Sequence, residues 1–309
     1  MEQKVIKVLP ASIRSRLQHL ARDRKRPFQE IFFYYAMERF LYRLTLSPHA
    51  SSFVLRGGLM FERWGLPNRR PTRDIDVQAY LTSSIENLTQ IVEEICNQEV
   101  EPDGMVYDPA SVHGEHITEL SEYQGVRVRF KAYLGAAWLG LHMDVSFGNV
   151  ITPSVILIKY PTLLDMPEFE MQGYPYETTI SEKFQAMVFL ETINDRMNDF
   201  YDIFLLSQHI EFRSAILTQA IKATFNTRNT EIPEADPIAL TDRFAHSRQP
   251  DWKRFLERTR MQEIAPEFFI DVVHQLRSFL LPPTQALKDN IPFDQHWKPG
   301  GPWINYPIG

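Results

Sequence analysis

The sequence predicts an α+β protein, in which a region of mixed β-strands lies between a helical N-terminus and a longer helical C-terminal part. Three observations carry that prediction. Between residues 53 and 158, short runs rich in β-branched and aromatic residues alternate apolar with polar positions, as in Gly125-Val-Arg-Val-Arg-Phe-Lys-Ala-Tyr133. On either side, at 11–46 and beyond 180, apolar residues recur at three- and four-residue spacings. Inside the strand region, Gly57-Gly58 and the pair Asp74 and Asp76 break the apolar pattern in a way that packing alone does not explain.

Composition sets the outer limits. With 44% apolar and 23% charged residues, the 309-residue chain is ordinary for a globular protein and long enough for a large core and two domains. The expected division is a helical extension at 1–50 packed on a sheet-bearing core at 51–160. A mainly helical domain with a proline-rich tail follows at 161–309. A formal net charge of -6 gives no global pull toward nucleic acid, so any such contact needs a local patch. The lone Cys96 excludes an intrachain disulfide framework and a cysteine zinc site, and among Ile91, Val92 and Ile95 it reads as packing. No apolar run approaches the roughly 18 residues of a membrane span. The N-terminus lacks the apolar core of a signal peptide, and a reducing cytoplasm is the expected location.

Taken in order, residues 11–24 space Ile13, Leu17 and Leu20 as one helix face, and 28–46 repeat the pattern through Ile31, Phe32, Tyr35, Ala36, Phe40 and Leu41. Ser47-Pro48 stops that helix. Arg14, Arg16, Arg22, Arg24, Lys25 and Arg26 form a local basic excess. It reads either as a solvated face or as a contact for RNA or nucleotide phosphates.

Phe53-Val54-Leu55 predicts a short buried strand. Gly57-Gly58 then permits a tight turn into a short helix at 59–64, where backbone N–H groups could cradle phosphates. Asp74 and Asp76 alternate with Ile75 and Val77, and on a strand residues i and i+2 share a face. Two converging carboxylates repel, and a bound divalent cation is the usual relief. The stretch therefore predicts a metal-dependent nucleotide site.

Residues 84–99 predict an amphipathic helix, 104–118 a loop followed by a strand, and 125–133 and 137–145 two strands. Asp144 ends the second of these, where a strand disfavours Asp. It is either a turn-initiating acid or a third carboxylate for the metal site. Residues 150–176 predict an extended connector with one strand at 155–158. Thr179-Ile-Ser-Glu182 has the form of a capping box, which starts a helix near Ile180 and puts Lys183 in its first turn. The macrodipole disfavours a cation there, so Lys183 suggests a phosphate partner. The next helix sets Asp199 and Asp202 on one face, with Arg196 or Lys183 as candidate ion-pair partners. Further helices are expected at 211–225, 236–247, 250–259 and 264–281, and the aromatic tail, with Trp297 and Trp303, is expected to wrap back onto the body.

In order and spacing, these pieces resemble the AbiEii/AbiGii toxin family of nucleotidyltransferases, relatives of DNA polymerase beta. The motifs are Leu55-Arg-Gly-Gly-Leu59, Arg70-Pro-Thr-Arg-Asp-Ile-Asp76, Gly125-Val-Arg-Val128, Met143-Asp-Val-Ser-Phe-Gly148, Glu182-Lys-Phe-Gln-Ala186 and Asn198-Asp-Phe-Tyr-Asp202. The likeness covers roughly residues 11–260. It implies a nucleotidyltransferase core at 51–160 and a toxin of an abortive-infection toxin–antitoxin pair. Such a toxin uses an NTP and Mg²⁺ and has a cognate antitoxin protein; studied relatives modify the 3′ end of tRNA. Carried over by position, Gly57 and Gly58 match the glycine turn, and Asp74 and Asp76 the paired metal ligands. Thr72 matches the hydroxyl position before them, and Asp144 the third acid and third candidate ligand. Lys183 matches the phosphate-holding lysine, and Asp202 or Asp199 the acid of the following helix. Arg56, Asn149 and Asn198 stand where relatives more often carry Lys, Asp and Arg.

The implied chemistry is transfer of a nucleotide with pyrophosphate as leaving group, two Mg²⁺ on the acids, and Lys183 with Arg127 or Arg129 on phosphate charge. The same donor site could serve a protein-nucleotidylating toxin. A non-catalytic RNA- or antitoxin-binding relative would have no need of three acids and Lys183. A ribonuclease of the Arg-x4–6-His type is a further option, from Arg14 with His19 or Arg43 with His49, but that spacing is common.

Overall fold

A computed structural model describes residues 2–82, 84–117 and 125–305. It is α+β, as the sequence predicts, and it divides into two compact units. The first comprises Met1–Trp64, Pro71–Gly148 and Ile156–Gly173; the second comprises Gly65–Arg70, Asn149–Val155 and Tyr174–Gly309.

The first unit is built on a seven-stranded mixed sheet among the described residues. In chain order its elements are α1 (Glu2–Asp23), α2 (Phe28–Leu46), β1 (Phe53–Arg56), α3 (Gly58–Arg63), β2 (Ile75–Ala79), α4 (Ile85–Cys96), β3 (Met105–Ile117), β4 (Gly125–Leu134), β5 (Ala137–Phe147), β6 (Ile156–Tyr160) and β7 (Phe169–Gly173). The strands lie in the order β3-β4-β5-β2-β1-β7-β6. β1 pairs β2 antiparallel, β2 pairs β5 parallel, and β4 pairs both β3 and β5 antiparallel.

Strict alternation explains why the sheet has one dry face. On β4, Val126, Val128, Phe130 and Ala132 are buried, and on β5 so are Leu139, Leu141, Met143 and Val145. They share a core with Ile13 and Leu17 of α1, Phe40 of α2 and Leu88, Val92 and Ile95 of α4. Phe40 meets Phe130 with ring centroids 4.5 Å apart. Ser84 caps α4 by accepting the Asn87 N–H, and Cys96 is buried, as its neighbours predicted. Burial pushes the Cys96 thiol up to about 12, so it stays protonated and inert.

Charged residues also enter this core. Arg39 and Arg43 of α2 converge on buried Asp103, Arg43 through two bonds of 2.6 and 3.1 Å. Arg43 is thus an internal counter-ion, which removes one of the two Arg–His pairs of the ribonuclease option. In the other, His19 lies 3.4 Å from Asp23 and Arg14 stacks over the Phe28 ring.

The second unit contains α5 (Tyr176–Leu190), α6 (Met197–His209), β8 (Phe212–Arg213), α7 (Ser214–Thr227), α8 (Asp242–Thr259), α9 (Phe269–Lys288), β9 (Gln295–Trp297) and β10 (Trp303–Asn305). The tail folds back as a small sheet in the order β10-β9-β8. Trp297 is fully buried there, and Trp303 stacks on Phe279 while donating its indole N–H to the Phe279 carbonyl. The last four tail residues, 306–309, lie outside the described residues, as does residue 118 of the stretch 104–118. Among the described residues no helix is long and apolar enough to cross a membrane.

Four expectations are corrected. The capping box does not start α5: the helix begins at Tyr176 behind Pro175, whose fixed φ suits a helix entry, and the Thr179 hydroxyl bonds the Pro175 carbonyl. Lys183 therefore sits two turns inside the helix rather than in its first turn. The connector 150–176 holds a second strand, β7, whose pairing with β1 and β6 outweighs its proline-rich flanks. The separate helices at 236–247 and 250–259 are one, α8, with Pro250 inside it, preceded by a 3-10 turn at Ile238–Leu240. α9 likewise runs past Pro282 and Pro283 to Lys288.

Candidate active site

The ladder of the first unit puts four charged residues in one cross-strand row. Arg56 of β1 stands opposite Asp76 of β2, Asp76 opposite Asp144 of β5, and Asp144 opposite Arg127 of β4. Neighbouring strands lie about 4.8 Å apart, so the Asp76 and Asp144 carboxylates leave the sheet side by side. Behind them Ile75, Val77, Met143 and Val145 are buried, which fixes the register: a one-residue slip would drive these acids into the core.

Asp144 is not a turn acid. It lies within β5 and accepts two bonds from the Arg127 guanidinium, at 2.7 and 2.5 Å. That pairing raises the Arg127 pKa further. Asp74 precedes β2 by one residue, and His142, two residues before Asp144 on the same face, approaches its carboxylate at 2.8 Å. Arg129 is one rung further along β4 and bonds Glu115 at 2.8 Å rather than reaching the acids.

The glycine turn abuts this row. Gly57 has φ +67° and ψ −149°, a region open essentially to glycine alone. A Cβ there would stand 2.1 Å from a carboxylate oxygen of Asp76. At Gly58 a Cβ would meet the Thr72 side chain at 2.6 Å, and the Thr72 N–H is held by the Tyr34 hydroxyl. Both glycines are thus required by close approach to candidate site residues. α3, six residues long, supplies this turn and little macrodipole.

Donor chemistry fits a hard divalent cation: carboxylate oxygens on adjacent strands suit Mg²⁺. Among the described residues no group of three or more His, Cys, Asp or Glu is already assembled around one point. The geometry gives the reason, since Asp144 is turned onto Arg127 and Asp74 onto His142.

Lys183, Asp199 and Asp202 come together in the second unit. Lys183 of α5 pairs with Asp199 and lies 3.1 Å from Asp202, both on α6. Arg70 grips buried Asp202 through two bonds of 2.9 and 2.8 Å, and the Tyr201 hydroxyl holds the Asn68 carbonyl of the same segment. Burial alone would lower the Lys183 pKa, but Asp199 and Asp202 outweigh it and the net direction is up. Burial would raise the Asp202 pKa, but Arg70 and Lys183 outweigh it and the net direction is down. Asp202 is enclosed between two cations, whereas Asp199 retains some exposure. Sequence reading missed Arg70 and His142. The parity of His142 with Asp144 could have revealed it, but nothing local links Arg70 to Asp202.

A mixed sheet with this acid row and glycine turn belongs to a nucleotidyltransferase. Residues 39–272, well over half of the chain, match the family described as nucleotidyl transferase AbiEii toxin, Type IV TA system. The chain belongs to that family, and so to the nucleotidyltransferase toxins of toxin–antitoxin systems. Among solved structures it is similar to JHP933 from Helicobacter pylori, with 15% identity over 85% of this chain and 94% of that one, at a TM-score of 0.47. It is also similar to a candidate nucleotidyltransferase from H. pylori, with 14% identity over 86% and 99% of the two chains and a TM-score of 0.47. No curated protein matches the sequence.

Proposed function

We propose that the protein transfers a nucleotide from an NTP, with Mg²⁺, to the 3′ end of tRNA, acting in the cytoplasm as the toxin partner of an antitoxin protein. The observation that carries the reading is the direct opposition of Asp76 and Asp144 on parallel strands, with Gly57 bare against Asp76. Asp74, Asp76 and Asp144 would hold the cation. When bound, it neutralises triphosphate charge and acidifies the attacking hydroxyl.

The chain's own groups supply the rest. The hydroxyl oxygen attacks the α-phosphorus, the bond to the leaving pyrophosphate breaks, and the hydroxyl proton passes to the Asp144 carboxylate. Asp202, held by Arg70 and Lys183, serves instead to aim Lys183. By the family position it matches, Lys183 would stabilise phosphate charge, and on the sheet Arg127 would do so on leaving Asp144.

Incubation with each radiolabelled NTP, total tRNA and cell protein tests the reading. Label in tRNA only when Mg²⁺ is present is the expected result. Label in protein instead would assign the same donor site to protein nucleotidylation. No label in either would overturn both.

A further inference from the structure

The face of the sheet that carries the acids continues away from them along β4 and β5. On β4, Arg127, Arg129, Lys131 and Tyr133 alternate with the buried Val128, Phe130 and Ala132. Opposite them on β5 stand Asp144, His142, Gly140 and Trp138 in turn. The far rung joins Val106 of β3, Tyr133 and Trp138 across three strands.

That rung is open. Trp138 is 60% accessible and Val106 64%, where an indole on a sheet is ordinarily covered. The Lys131 ammonium lies 5.9 Å from the Trp138 ring centre and makes no ion pair among the described residues. Between Trp138 and His142 there is no side chain at all: a Cβ on Gly140 would meet nothing within 4 Å. The result is a flat shelf with an aromatic end, a cationic edge and a lead toward Asp144. Arg129 adds a second cation, tied only by a half-exposed pair with Glu115, which a phosphate can replace at little cost.

We infer that this shelf seats the unpaired 3′-terminal nucleotides of the acceptor, with a base stacked on Trp138 and backbone phosphates along Lys131 and Arg129. The inference rests on the reading of the acceptor as RNA. Aromatic faces joined to a cationic track are how single strands are held without regard to sequence. Trp138 and Asp144 are six residues apart on one strand, on the order of 20 Å at about 3.3 Å per residue. A few unpaired nucleotides span that length, so their terminal hydroxyl would arrive at the acid row.

Fluorescence anisotropy of a short single-stranded RNA, labelled at its 5′ end and with a free 3′ hydroxyl, tests this on the full chain without NTP. Trp138→Ala is expected to weaken binding about tenfold or more, and Trp138→Phe much less. Gly140→Val, which fills the shelf with a residue that strands favour, is expected to weaken binding comparably with an unchanged melting temperature. Lys131→Glu should weaken binding and flatten its salt dependence by about one unit of slope. Wild-type affinity in both Trp138→Ala and Gly140→Val would overturn the shelf, even where wild-type protein labels tRNA. Loss of a dimer in Trp138→Ala by light scattering, with RNA affinity retained, would overturn it in favour of a protein interface. Label passing to protein in place of tRNA would instead overturn the reading of the acceptor on which the inference rests.

Discussion

The acid row on the sheet and the Lys183–Asp202 cluster among the helices each combine two cations with two or more carboxylates, yet they treat charge in opposite ways. In the row, backbone pairing sets the acids side by side, and Arg127 closes on Asp144. In the cluster, Arg70 and Lys183 meet Asp199 and Asp202 directly, and Asp202 is almost wholly buried. A ladder can hold like charges together because main-chain hydrogen bonds and a hydrophobic underside bear the repulsion. A helix pair has no such frame, so its charges must satisfy one another. The frame of the row is therefore its backbone, and the frame of the cluster is its ion pairs.

Substitutions can break or sharpen that contrast. Asp76→Ala should abolish incorporation of labelled NTP while leaving the circular dichroism melt nearly unchanged, because the buried underside and the ladder of β2 stay intact. An active Asp76→Ala variant would remove the row from the chemistry. Asp202→Ala should do the reverse in kind, costing about 3–5 kcal/mol in a urea melt, since it removes the buried anion that Arg70 and Lys183 share. Asp202 also sets a pH dependence. Its folded pKa is lowered, so its stabilisation is present above the unfolded carboxylate value and is lost as pH falls through the folded value. An acid-side titration of stability should therefore flatten in Asp202→Ala.

Gly57→Ala should cost about 1–3 kcal/mol from its backbone region alone, and should disable transfer through the clash with Asp76. The smallest effect is expected at Arg127→Gln. Manganese binding, followed by electron paramagnetic resonance, should tighten severalfold as an internal competitor leaves Asp144, while NTP binding weakens. Weaker manganese binding in that variant would make Arg127 a support of the site and not a competitor for it.

Much of the row was legible in the sequence because its signals are local. Alternation of Asp74, Ile75, Asp76 and Val77 gives a shared face, and a glycine pair after an apolar strand gives a turn. The ion pairs were not legible. The Arg127–Asp144 bond depends on strand register, and the Arg70–Asp202 bond joins positions 132 residues apart. Proline misled the reading in both directions. The expected helix bounds at 250 and 281 fall at Pro250 and beside Pro282, yet both prolines lie inside helices whose buried faces, Trp252 and Phe255 or Phe279 and Leu280, hold them through the defect. Pro175, which does start a helix, was passed over for a capping box that the side chains do not form.

The bareness of Gly57 has a practical side. One methyl group at that position would silence the chain by a change confined to a single turn. A host could then make the harmless form in quantity without being poisoned by it.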